Sequence, residues 1–77
     1  MISWVRKTKE QVCNGVAIGH GDHVGYGDND AIIPVAVLTR QPNGRWQLWM
    51  QPDGRFVAVS DHHAAAEGKR RARLALG

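Results

Sequence analysis

Residues 41–60 read QPNGRWQLWM and then QPDGRFVAVS, a ten-residue unit used twice. Each copy opens on Gln-Pro-Asn/Asp-Gly-Arg. Proline presets φ for the first central position of a type I turn, and Asn or Asp suits the second. Glycine then takes the left-handed conformation that returns the chain. Flanked by β-prone runs, each copy predicts a hairpin. Together they predict a three-stranded antiparallel meander over 31–60, with strands near 31–40, 45–51 and 55–60. Two copies of so short a period are too few for a solenoid or a propeller.

The turns also predict a register. If Gln41 pairs with Arg45 and Gln51 with Arg55, then Leu38 opposes Leu48 and Met50 opposes Phe56. One face would carry Ala36, Leu38, Trp46, Leu48, Met50, Phe56 and Ala58; the other would carry Ile33, Val35, Val37, Trp49, Val57 and Val59. Side chains alternate with period two, so a slip of one residue exchanges the two sets. Both faces are apolar enough to require a cover.

Residues 61–76 supply one cover as a helix. Ser60 or Asp61 suits its N-cap, and Lys69, Arg70, Arg71 and Arg73 suit the negative end of its dipole. Ala65, Gly68, Ala72, Ala75 and Leu76 form a face of mostly small groups that can approach bulky sheet residues closely. Gly68 costs about 1 kcal/mol of helix propensity relative to alanine, so close packing is the expected reason for it. Residues 1–19 are the expected cover for the Val35, Val37 and Trp49 face, and both templates fit them. Ile2, Val5, Val12, Cys13 and Val16 fall near one helical face. Alternatively, Asn14-Gly15 is a preferred type I′ hairpin turn, and Trp4, Val5, Thr8 and Val12 tilt the balance to extended structure. Residues 19–30 hold four glycines, three aspartates and two histidines, which predicts a loop. The expected architecture is one α+β domain over 1–77: an antiparallel β-meander of three to five strands, with one C-terminal α-helix packed across one face.

At 77 residues the chain is near the low end of what one core can stabilise. A lone Cys13 offers neither an internal disulfide nor a cysteine-based metal pattern. With no apolar leader and no long hydrophobic run, the expectation is a cytoplasmic protein that does not enter a membrane. The net charge of +3 is uneven: residues 20–30 are acidic and every other segment is basic. Such a balance is compatible with a polyanionic partner.

His20-Gly21-Asp22-His23-Val24-Gly25 resembles the tail of the metallo-β-lactamase signature, with Ile18 where its first histidine belongs. That family's αββα sandwich needs far more chain than is present. His20, Asp22 and His23 remain candidate metal ligands, because imidazole with carboxylate is sound zinc chemistry. No nucleophile stands beside a base in a pattern that predicts catalysis, and the glycines at 19, 21, 25 and 27 do not have phosphate-loop spacing. Neither an enzyme nor a cofactor is expected.

Two binding surfaces are. Lys69, Arg70, Arg71 and Arg73, joined by Arg45 and Arg55, could grip the phosphates of a nucleic acid. A meander followed by a basic, alanine-rich helix is similar in topology to double-stranded-RNA-binding domains and to the small domains that begin phage-type integrases. The paired lysines that open the last helix of the RNA module are absent, and Asp61-His62-His63 stands there instead. The alternative is a protein-interaction or self-associating accessory protein that uses Gln47, Trp49 and Gln51, since tryptophan beside glutamine is a common contact mixture.

Overall fold

The computed structural model describes residues 1–28 and 30–76; Asn29, inside the expected loop, and Gly77 lie outside the described residues. The chain forms β1 (Ser3–Arg6), β2 (Gln11–Cys13), β3 (Val16–Ile18), β4 (His23–Gly27), β5 (Asp30–Arg40), β6 (Trp46–Met50), β7 (Val57–His62) and α1 (Ala65–Leu76). It is a small α+β fold. Five strands make an antiparallel sheet in the order β1-β4-β5-β6-β7, and β2 and β3 make a separate two-stranded sheet. Among the described residues, no helix is long and apolar enough to cross a membrane.

The first 19 residues are extended. Asn14 and Gly15 carry φ of 49° and 90°, the paired positive values of a type I′ turn, between β2 and β3. This hairpin covers one face of the sheet, where Val16 and Ile18 bury against Val24, Val37 and Phe56, with Trp49 and Tyr26 packed alongside. The opposite face holds Ala36, Leu38, Leu48 and Met50 under Ala72 of α1, with Ile2, Trp4 and Trp46 at its margins. Adjacent residues of β5, Val37 and Leu38, are both fully buried and belong to different cores.

The two look-alike turns differ by one residue. The first closes five residues, Arg40 pairing with Trp46, and Leu38 opposes Leu48 as the turn chemistry predicts. The second closes six, so Met50 pairs with Val57 rather than with Phe56. Phe56 therefore joins the hairpin-side core instead of the helix side, and Ala58 stands opposite Trp49 on that same side. Two irregularities shift the valines as well. Gly25 pairs with Ala36 and Tyr26 with Pro34, leaving Val35 as an extra residue that packs with the helix-side core. Leu48 pairs with Ser60 and Trp49 with Ala58, leaving Val59 as a second bulge. A bulge places two residues opposite one and re-aims the side chain.

Two further expectations are corrected. Residues 23–27, expected within a loop, form β4. Gly25 stands between Trp4 and Ala36 in the ladder, and a Cβ there would lie 2.7 Å from Ile2 Cγ2 and 3.1 Å from the Trp4 ring. The indole of Trp4 thus supplies the cover that a side chain at 25 would otherwise give. The helix begins at Ala65 rather than at 61, because Ser60, Asp61 and His62 are used as β7 and pair with Leu48, Gln47 and Trp46. Of its expected small face, Gly68 and Ala72 are buried and Ala65 partly so, while Ala75 and Leu76 are exposed.

Candidate functional site

Lys69, Arg70 and Arg73 project from α1 into a groove of about 790 Å³ between the helix and the first residues of the chain. Trp4, Ile2 and Met1 form its other wall, and Leu76 closes one end. The Lys69 ammonium sits 5.8 Å from the centre of the Trp4 ring, within reach of a cation–π attraction. Trp4 is held there by its ladder position beside Gly25, so the sheet fixes the ring and the ring fixes the lysine. Asp28 is the acid of this groove, and its carboxylate takes the Met1 ammonium at 2.6 Å. Among the described residues, the helix cations make no ion pair with any carboxylate.

His23, which stands outside the groove lining, senses the charges around it. Burial first, and then the positive charges of Lys69 and Arg6, hold its imidazole below the ordinary range, while Asp22 pulls the other way. Arg6 pairs with His23 across β1 and β4. His23 thus feels positive charge from both Arg6 and Lys69, while neither it nor Arg6 lines the groove. Sequence reasoning missed Trp4, because only the pairing of β1 with β4 brings its ring to Lys69, more than sixty residues away.

The other predicted cations do not join them. Arg45 lies in the turn before β6 and gives its Nε–H to Asp61 Oδ2 at 2.6 Å, with its Nη1 3.0 Å from His63 Nδ1. Arg55 is exposed in the turn after β6, at the opposite end of that strand. Arg71 lines a second groove, of about 450 Å³, with Met50, Val59 and Leu76.

The predicted partner residues are half-buried and engaged by neighbouring elements. Trp49 packs in the hairpin-side core and donates its indole N–H to Thr39 Oγ1 at 2.9 Å. Gln51 donates to the Pro34 carbonyl at 2.5 Å and accepts from Asn14 Nδ2 at 2.9 Å, tying the hairpin turn to the sheet. Gln47 pairs with Asp61 in the ladder.

The three candidate metal ligands are likewise divided. Asp22 is buried, and its two oxygens accept the backbone N–H groups of Gly19 at 2.8 Å and Arg40 at 2.9 Å. His23 packs its ring 5.4 Å from that of Trp46, and His20 is exposed. Among the described residues, no three histidine, cysteine or acidic side chains are grouped to hold a metal ion.

Ser60 Oγ stands 2.7 Å from His62 Nε2, and Glu67 Oε1 3.7 Å from His62 Nδ1, an order reminiscent of a nucleophile, base and acid. Ser60 opposes the fully buried Leu48, and neither groove is lined by Ser60 or His62. The contacts fasten β7 to the first turn of α1. No protein family matches the chain, and comparison with curated proteins and with solved structures gives no match either.

Proposed function

We propose that this chain is a non-enzymatic nucleic-acid-binding module whose contact surface is the groove between β1 and α1. The observation that carries the reading is the line of Lys69, Arg70 and Arg73 beside Trp4, with no carboxylate paired to any of the three among the described residues. Unneutralised cations along one side of a helix suit phosphates, whose contacts position a protein without reading sequence. Arg6, paired with His23 in the ladder, adds a further cation outside the groove lining. Arg45, neutralised by Asp61, and Arg55, at the far end of β6, fall outside this surface. The alternative, self-association through Gln47, Trp49 and Gln51, lacks comparable support because the β2–β3 hairpin covers Trp49 and Asn14 engages Gln51.

The test is an amide and indole NMR titration with short random-sequence DNA, duplex and single-stranded, at several salt concentrations. Shifts are expected at Trp4, Arg6, Lys69, Arg70 and Arg73 and not at Arg45 or Arg55. With three or four phosphates neutralised, the logarithm of affinity should fall against that of salt with a slope of about −3 to −4 on duplex. A spectrum unmoved at low salt would overturn the reading.

A further inference from the structure

The two irregularities of the sheet converge on one place. Alternation from Val37 would turn Val35 toward the β2–β3 hairpin, yet as the extra residue of β5 it packs with the helix-side core. Val59 is the extra residue of β7. β5 and β7 flank β6, and both valines line the second groove, of about 450 Å³, between α1 and the sheet. Met50 of β6 and Ala75 and Leu76 of α1 complete its apolar wall. Val59 and Leu76 remain 44% and 52% exposed, so apolar surface is left open there. Bulges recur where a strand re-aims a side chain beside a functional site. Small-molecule sites are concavities of roughly 300–1,000 Å³, mostly apolar, with a few polar groups that fix orientation.

Among the described residues, Gln51 and Arg71 are the polar side chains of this lining. Gln51 is already engaged, donating to the Pro34 carbonyl and accepting from Asn14. Arg71 is exposed and makes no ion pair among the described residues. Glu67, one turn earlier on α1, stands 3.7 Å from His62 instead. We propose that the groove binds a small aliphatic monocarboxylate, with its carboxylate on Arg71 and its tail over Val35, Met50 and Val59. The single guanidinium matches a single negative charge and can hold a carboxylate through two parallel N–H donors. A phosphate monoester would bring a second charge with nothing in the lining to meet it. Arg71 and Leu76 are five residues apart, about 7.5 Å along the helix. The carbonyl end of α1 repels an anion near Leu76, so the acid lies with its head at Arg71 and its tail toward Leu76. The site shares only Leu76 with the β1–α1 groove and does not depend on nucleic-acid binding there.

The test is a methyl NMR titration of the full chain with octanoate, kept below its micelle-forming concentration, and with octan-1-ol as the uncharged counterpart. Octanoate should shift the methyl signals of Val35, Met50, Val59 and Leu76 saturably, and octanol should bind the same methyls more weakly. Arg71→Gln, at an exposed position, should leave circular dichroism unchanged. It should weaken octanoate about tenfold, the scale of one charge-assisted contact, and leave octanol where it was. Val59→Gln acts on the tail and should weaken both ligands together. The absence of saturable shifts with octanoate overturns the proposal. So does octanol binding as tightly as octanoate, an octanoate affinity that Arg71→Gln leaves intact, or shifts that gather at Lys69 and Arg73 instead.

Discussion

Replacing Gly68 with alanine sets two opposing effects against each other at a single atom. Alanine is the better helix former by about 1 kcal/mol, so at an exposed site the change would stabilise α1. At Gly68 a Cβ would fall well inside contact distance of Leu38 Cδ2, and it would also press on Leu38 Cδ1 at 3.3 Å and Cγ at 3.4 Å. Leu38 has no room to yield: it is fully buried, with Ala36, Leu48 and Ala72 in the same cluster. Overpacking of this kind costs about 1–3 kcal/mol, so the clash outweighs the propensity gain. A net loss of about 1 kcal/mol is expected, which for a domain this small lowers the melting temperature by roughly 4–8 °C. Thermal unfolding by circular dichroism reads it directly. Leu38→Val removes the δ-carbons, so in that background Gly68→Ala should become neutral or stabilising, a coupling of about 1–2 kcal/mol between contacting residues. A parent-background Gly68→Ala that melts higher, or two changes that simply add, would refute the argument.

Asp22→Ala should cost about 2–3 kcal/mol in urea unfolding, because it removes the buried carboxylate that accepts two part-buried bonds from the N–H groups of Gly19 and Arg40; a loss below half a kcal/mol, roughly the scale of an ordinary surface change, would contradict the assigned role. The His23 imidazole resists protonation in the folded state, so its contribution to stability is lost as pH falls below the ordinary value of 6.5 toward the depressed folded one. Lys69→Met should raise the His23 pKa in an NMR titration, and saturating the basic groove with DNA should raise it too. The hydrogen bond from Arg45 is the main cause that holds the Asp61 carboxyl below its ordinary 3.8. The stability it contributes is present above that value and fades as pH falls through the folded pKa; Arg45→Gln should move the Asp61 titration upward, and no movement would remove Arg45 as the cause.

What the sequence revealed and what it hid follow from how local each signal is. The Leu38–Leu48 register was legible because the Gln-Pro-Asn-Gly-Arg turn closes entirely on its own residues, with Gln41 N–H donating to the Arg45 carbonyl at 2.8 Å. The second turn carries nearly the same letters, yet Phe56 is drawn beneath Val16 and Ile18, a contact some forty residues distant that no turn rule contains. Ser60 and Asp61 looked like a helix cap because their side chains suit one. The ladder with β6 and the Arg45 guanidinium claimed them first. β4 was hidden by its glycines, which break most strands; here Gly25 makes room for Trp4. At the candidate site, the helix cations were visible as a run, and the face they share was not. Which of Lys69, Arg70, Arg71 and Arg73 meet one groove depends on how α1 lies on the sheet, and the aromatic wall comes from the other end of the chain.

The alternation of Val37 and Leu38 along β5 governs how this molecule comes apart. A single layer of backbone is the shared wall of two small cores, each too slight to hold the strand in place without the other. Peeling away the hairpin would expose Val37 and loosen the strand that supports Leu38. Lifting the helix would do the same in the opposite direction. Damage on either side thus propagates through the sheet, and the amides at the centre of β5 should exchange with solvent only when the whole domain opens.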